Sequence, residues 1–422
     1  MAAGAVVAGA EQTTADTAGD AVFQRPSHRV IAVAAGNHVG GNRGCALGSG
    51  RTGRPPQESD DLATGAGIVG VEQAVGDALL HGPFHCLGVV RVGGNSAKVA
   101  AALISANSAV TVTLLSGMVK VYLPLPLYGD VDLLERSRDM VSSLEKSISV
   151  TDEESEIYAI NHASAGSLSD KPAELIEEAL KMCRRMDGAL DISIYPIVRA
   201  WGFTTGNYQV PSEDTIQSML SLVNYTKIWH DAAAGTVTLP AGMEIDLGSV
   251  AKGYAGRMVA QMLRDNGVES ALLNLGGNVQ TIGSRPDGSP WKIGIKAPWG
   301  QDAMMVISVR DQAVVTSGGY ERYFEQDGLI YWHIMSPATG HPSDSGLISV
   351  TVVGDDGMVC DGLSTALFVM GLQKAADFWA QSNDFEAVFV TASGEVYITE
   401  GLKDCFVLTE GGKGTPVNVI ER

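Results

Sequence analysis

"EIDLGSVAKGYAGR", residues 244–257, ends an extended stretch on an acidic residue, turns through small residues, and opens a helix with a lysine in its first turn. Asp246 closes the extended part, Gly248 and Ser249 form the turn, and the helix runs to a stop at Asn266-Gly267. Unpaired N–H groups at such a helix start favour a phosphate. Lys252 opposes the helix dipole, so a second reason for it is needed, and a polyphosphate supplies one. The turn is not GxxxxGK(S/T), so nucleoside triphosphate binding is not indicated. A capping aspartate and a solvated lysine account for the same residues.

Working outward, "VTLPAGMEIDLG" reads as a hairpin entering this motif. The helix after it would bury Ala251, Tyr254, Ala255, Met258 and Met262. Upstream, helical spacing covers 131–149, 171–188 and 212–223, with Pro172 near one start and Ser212 as a cap. Downstream come strands: "SALLNLGG", "WKIGIKA", "MMVISVRDQAVVTSGG", "LISVTVVG" and a hairpin about Ser393-Gly394. Short helices at 362–371 and 373–382 interrupt them. Strands beside strands with interspersed helices indicate an α+β fold, not a doubly wound parallel sheet.

The chain has 422 residues and a formal charge of −19, which argues against a nucleic-acid surface. An anionic substrate would be met only locally, with a cation present. The cysteines are Cys45, Cys86, Cys183, Cys360 and Cys405, with no CxxC, so buried reduced thiols are expected and a disulfide framework or zinc site is not. Residues 1–117 are rich in Gly and Ala and show little periodicity. Within them, "KVAAALISANSAVTVTLLSG" (98–117) looks like a lipoprotein signal without its cysteine, because Met118 follows Gly117. Either residues 1–117 are a fusion or a misplaced start, or 98–117 is a buried strand or helix. The domain division is therefore 1–117 and 118–415.

Four other stretches carry polar groups able to do chemistry, and one more is set beside them. Gly276-Gly277 let backbone approach a ligand or a packed helix. Thr316, Ser317, Gly318 and Gly319 suit an anion nest or a tight turn. His333, between Trp332 and Ile334, suits a core histidine or a base at neutral pH. Asp361 and Thr365 share a helix face and are hard oxygen ligands suited to Mg²⁺; an N-cap aspartate and a back-bonded threonine also fit. "GALDISIYPIVRAWGF" (188–203) is the fifth.

Taken in order, "GALDISIYPIVRAWGF", "DLGSVAKGYA" (246–255), "LLNLGGNVQTIG" (272–283), "TSGGYERYF" (316–324), "HIMSPATGHP" (333–342) and "DGLSTALFVMG" (361–371) resemble the successive motifs of the FAD:protein FMN transferase family, also called the ApbE family. "SVTDEESEIYAIN" (149–161) resembles its N-terminal signature. The resemblance covers about 150 to 410. It implies an ApbE-like, T-fold-related α+β domain with mixed and antiparallel sheets and packed helices. It implies a Mg²⁺-dependent enzyme that moves FMN from FAD to a Thr or Ser hydroxyl of a target flavoprotein, releasing AMP. By position, Asp246 and Lys252 would contact FAD. The Ser249 main-chain carbonyl, Asp361 and Thr365 would hold Mg²⁺. Thr151, Ala189, Leu190, Asp191 and Ile334 would line the flavin side, and His333 would take the hydroxyl proton or orient FAD. The acceptor would bear a D-G-x-S-G-A-T-like sequence.

The chain departs from the family in three places. Lys120 stands where an M-x-T motif has Thr, Ser336 where an Asp is usual, and the lipobox cysteine is missing. Family members are usually exported and lipid-anchored, so the compartment is left open, with membrane association only through a lost or displaced anchor. A hydrolase splitting FAD to FMN and AMP, and a carrier that holds FAD without turnover, are the rival readings.

Overall fold

A computed structural model of the chain describes residues 109–114, 119–124, 131–300 and 302–422. Its frame is a nine-stranded sheet. In spatial order the strands are Ala109–Leu114, Val119–Pro124, Ser270–Leu275, Asn278–Gly283, Ala313–Gly318, Leu347–Gly354, Phe385–Thr391, Val396–Thr399 and Val417–Ile420. Every neighbouring pair is antiparallel except the last, which is parallel. Strand Ala109–Leu114 falls inside the stretch that resembles a lipoprotein signal, so its described part is a sheet strand. Signal residues before it, and Cys45 and Cys86, lie outside the described residues.

Side-chain alternation sends one sheet into two cores, because successive residues of a strand point to opposite faces. Ala313, Val315, Val350, Val352, Ala387 and Phe389 meet the helices. Val314, Val353, Val388 and Val390 meet a second sheet made of Phe406–Leu408, Ala303–Val309 and Trp291–Lys296. The molecule thus has helices on one face of the large sheet and a small sheet on the other. A third, smaller core joins Trp201, Phe203, Ile216 and Phe324 under the hairpin Tyr323–Gln326/Leu329–Trp332.

The helices are Val131–Ile148, Glu156–Ala163, Asp170–Arg185, Tyr195–Ala200, Glu213–Leu220, Gly248–Asp265, Gly357–Met370 and Leu372–Ala380. Helix Glu213–Leu220 starts where expected, with Ser212 Oγ accepting from the Thr215 N–H at 3.2 Å. Two expectations fail. "VTLPAGMEIDLG" is no hairpin: Thr236–Thr238 pairs with Ala165–Ser167 and Trp229–Asp231, and residues 244–247 form no strand. The helix read as 362–371 begins at Gly357, capped by Asp356, whose Oδ1 accepts from Met358 N–H at 2.8 Å and Val359 N–H at 3.1 Å. Asp361 is therefore not the cap; it sits a full turn inside the helix and is 3% exposed.

Cys183, Cys360 and Cys405 are free thiols. Burial pushes Cys183 up to about 12 and Cys360 well above its ordinary value. Among the described residues no helix is long and apolar enough to cross a membrane.

Candidate functional site

The site begins with a close crossing of two helices. Gly253 on Gly248–Asp265 lies so near Gly357 that a Cβ on it would overlap the Gly357 carbonyl and sit 2.6 Å from Met358 Cα. Only glycine allows that approach. It lets the Gly253 N–H donate to Asp361 Oδ2 at 2.9 Å. In a regular helix that N–H serves the carbonyl four residues back, which is Ser249; Asp361 draws on this donor. One turn from Gly253 toward the helix start is Ser249, and one turn beyond Asp361 is Thr365.

Charges gather at the crossing. Lys252 Nζ is 3.6 Å from Asp361 Oδ1. Desolvation raises the Asp361 carboxyl above its usual range, against the pull of Lys252, the Gly253 N–H and the nearby Asn278 amide. Asp246 is raised for the same reason, opposed by the Gly248 N–H, Arg322 and Lys252. Its Oδ1 accepts from the Gly248 N–H at 2.8 Å, although the N-cap position itself is Leu247, which makes no side-chain cap bond. Behind Thr365 a hydroxyl cluster joins helix to sheet: Ser317 Oγ lies 2.8 Å from Ser364 Oγ and 3.3 Å from Thr365 Oγ1. Thr316 instead pairs across the sheet with Thr351 at 2.8 Å, so the "VVTSGG" stretch is a strand.

His333 stands at the foot of the exposed hairpin. Its Nδ1 is 3.1 Å from the Arg322 carbonyl, which can only accept, so Nδ1 carries the proton and Nε2 presents a lone pair. Burial, followed by the charges of Arg322 and Lys252, pushes the imidazole down to about 4. Arg322 in turn donates to the Phe203 carbonyl. Arg322 and Lys252 thus lie near enough for their charges to act on both His333 and Asp246. Ile334 is buried in the helical core.

The residues expected on the flavin side divide. Asp191 shapes its own loop and ties it to the turn at Tyr225. Its Oδ1 accepts from the Ser193 N–H at 2.8 Å and hydroxyl at 2.6 Å, and its Oδ2 from the Tyr225 N–H at 3.0 Å. Leu190 is buried near Gly362, and Ala189 is half-buried. The loop connects to the crossing through the Asp246 N–H, which donates to the Ile192 carbonyl at 2.8 Å. Thr151 is exposed, held 3.3 Å from Ser149 Oγ. Its neighbour Val150 accepts from the Tyr195 hydroxyl at 3.4 Å. Lys120 pairs in register with Asn274, two residues from the Gly276-Gly277 turn.

Gly276 (φ 60°) and Gly277 (φ 94°) form the two-residue turn of the hairpin Ser270–Leu275/Asn278–Gly283. Positive φ at both positions is what such a turn demands. Three participants carried no recognised signal in the sequence: Arg322, and Asn278 and Gln280 just after this turn. The spacing Gly253-x-x-Gly256, with both glycines on one helical face, was the signal for the crossing.

The ApbE family model matches residues 108–389. The chain belongs to the ApbE family. It is 36% identical over 282 residues to the FAD:protein FMN transferase of Klebsiella pneumoniae (strain 342), covering 65% of this chain and 87% of that one. Against the FAD:protein FMN transferase of Treponema pallidum (strain Nichols) it is 31% identical over 307 residues, covering 68% and 84%. The crystal structure of the ApbE protein of Thermotoga maritima superposes with a TM-score of 0.66 at 31% identity, covering 70% of this chain and 98% of that one. The apo flavinyl transferase ApbE of Pseudomonas stutzeri gives 0.62 at 25%, covering 72% and 99%. The ApbE-like α+β fold is as the sequence indicated.

Proposed function

We propose that this chain is an FAD:protein FMN transferase that uses Mg²⁺. The observation that carries the reading is the glycine crossing, which holds the buried Asp361 carboxylate beside Lys252, a lysine whose charge also reaches His333. The oxygen donors fit a magnesium ion. Asp361 is a buried carboxylate whose charge its neighbours under-compensate, and the Ser249 carbonyl and Thr365 hydroxyl are hard donors. Among the described residues no three His, Cys, Asp or Glu side chains cluster, as a softer metal would require. Mg²⁺ takes few protein ligands and completes its shell with water and phosphate oxygens. When bound it would neutralise charge on the pyrophosphate and on the leaving AMP.

The chain's own residues supply the rest. Lys252 and Arg322 offer positive charge to the pyrophosphate. His333 Nε2 accepts the proton of an acceptor Thr or Ser hydroxyl. The hydroxyl oxygen bonds to the phosphorus of the FMN half, the bond to the AMP oxygen breaks, and AMP leaves with that electron pair. The low basicity of His333 suits this order of events: after burial, the charges of Arg322 and Lys252 hold it down. A bound pyrophosphate compensates both cations and so raises the base when substrate is present. The acceptor is a flavoprotein carrying a D-G-x-S-G-A-T-like segment.

The test is to incubate the full chain with FAD, Mg²⁺ and an acceptor fragment bearing that segment, then weigh the acceptor intact. An FMN adduct that disappears in Asp361→Ala supports the transferase and its metal site. AMP without adduct supports hydrolysis; FAD bound with neither product supports a carrier.

A further inference from the structure

Asn278 and Gln280 are two apart on strand Asn278–Gly283 and share the sheet face that meets the helices. Both are almost fully buried, at 1% and 5% exposure. Buried carboxamides are expensive unless their polar atoms are paired. Gln280 Nε2 donates to the Gly253 carbonyl at 2.9 Å and reaches Asn278 Oδ1 at 3.4 Å. Its carboxamide lies in space that only glycine leaves open, since a Cβ at either Gly256 or Gly357 would collide with it. Asn278 Nδ2 has no hydrogen-bond partner, yet it lies near enough to Asp361 to favour that carboxylate's charged form.

We propose that Gln280 and Asn278 are positioning residues for the cation site. Gln280 fixes the turn containing Gly253 by its carbonyl, while that residue's N–H fixes Asp361. Asn278 offers its uncommitted N–H to the same carboxylate. The sheet therefore sets the position of Asp361 from strand Asn278–Gly283. This rests on Asp361 being a metal ligand, as proposed above. Groups that orient a ligand in this way commonly change metal affinity about 10–100-fold when removed.

The experiment uses the full chain with Gln280→Met, which keeps the volume but not the amide, and Asn278→Ala, which removes the unpaired donor together with the Oδ1 that Gln280 reaches at 3.4 Å. Two readouts are taken: Mg²⁺ affinity by calorimetry with FAD present, and hydrogen exchange of the Gly253 amide without metal. The expected result is a loss of Mg²⁺ affinity of about tenfold or more in each variant. Gly253 exchange should accelerate in Gln280→Met, while KM for the acceptor stays as in the parent. Gln280→Glu, which replaces the donor by an oxygen facing the Gly253 carbonyl, should not rescue. Parent-like Mg²⁺ affinity in Asn278→Ala together with parent-like Gly253 exchange in Gln280→Met overturns the proposal. If Gln280→Met does not fold, Asn278→Ala decides by its Mg²⁺ affinity alone. A parent that binds no Mg²⁺ removes the metal reading itself, and this proposal with it.

Discussion

Replacing Gly253 by alanine should damage catalysis far more than stability. The added methyl would overlap the Gly357 carbonyl and lie 2.6 Å from Met358 Cα, where ordinary contact begins at 3.4 Å. Both obstacles are backbone, so neither can rotate aside, and the helices must part by about 0.8 Å to clear Met358 Cα and further still to clear the nearer Gly357 carbonyl. The Gly253 N–H to Asp361 Oδ2 bond, now 2.9 Å, stretches to about 3.7 Å and is lost. Overpacking of this kind costs about 1–3 kcal/mol. For a domain of this size that lowers Tm by about 5 °C. A displacement near 1 Å at a reacting centre costs about 10²-fold in rate. Single-turnover AMP release and a thermal melt on the same preparation separate the two effects. A Gly253→Ala enzyme with parental turnover and a Tm within about a degree of the parent would refute the close-crossing argument.

Gly267→Ala is the contrasting case: φ is +81° but nothing lies within 4 Å, so strain of about 1 kcal/mol should lower Tm while transfer proceeds at the parental rate. His333→Asn, lacking the Nε2 acceptor, should lose about 10²–10⁴-fold in single-turnover rate with little change in FAD affinity by fluorescence titration. The acid limb of kcat/KM should fall near pH 4, not 6.5, and the limb of kcat should lie higher, since bound pyrophosphate offsets Arg322 and Lys252. His333 also bears on stability, because its folded pKa is depressed. Between pH 6.5 and about 4 the unfolded chain takes up the proton first, so stability falls as pH falls through that window. In acid melts His333→Asn should therefore lose less stability than the parent over the same window.

Local order was legible because it is written in local terms. Ser212 heads its helix and Gly188 takes positive φ after Arg185, just where side-chain chemistry and spacing pointed. The order of the motifs likewise picked out Asp246, Lys252, Asp361 and Thr365 before any coordinates. What stayed hidden depends on partners distant in sequence. Gly253 and Asp361 are 108 residues apart, and no window of sequence shows that the first donates to the second. The alternative of Asp361 as a cap stayed open in the sequence because the true cap, Asp356, begins a glycine-led turn of weak helical signal. Asp191 gave no sign in sequence of its bond to the Tyr225 N–H, 34 residues away, which ties its loop to a distant turn. Arg322 gave no sign because its role comes from the fold bringing Phe203 and His333 to it.

Among the described residues, the two fully buried thiols have a use outside the chemistry of the site. Cys360 is the residue before Asp361 on the crossing helix, and Cys183 is sealed into helix Asp170–Arg185. Both are held protonated by burial, so an alkylating reagent finds neither a thiolate nor a path to one. Labelling can proceed only in molecules that have opened. Read peptide by peptide, the rates at Cys360 and Cys183 become two internal clocks, one timing the release of the helix that bears Asp361, the other timing the loss of the helical layer behind it.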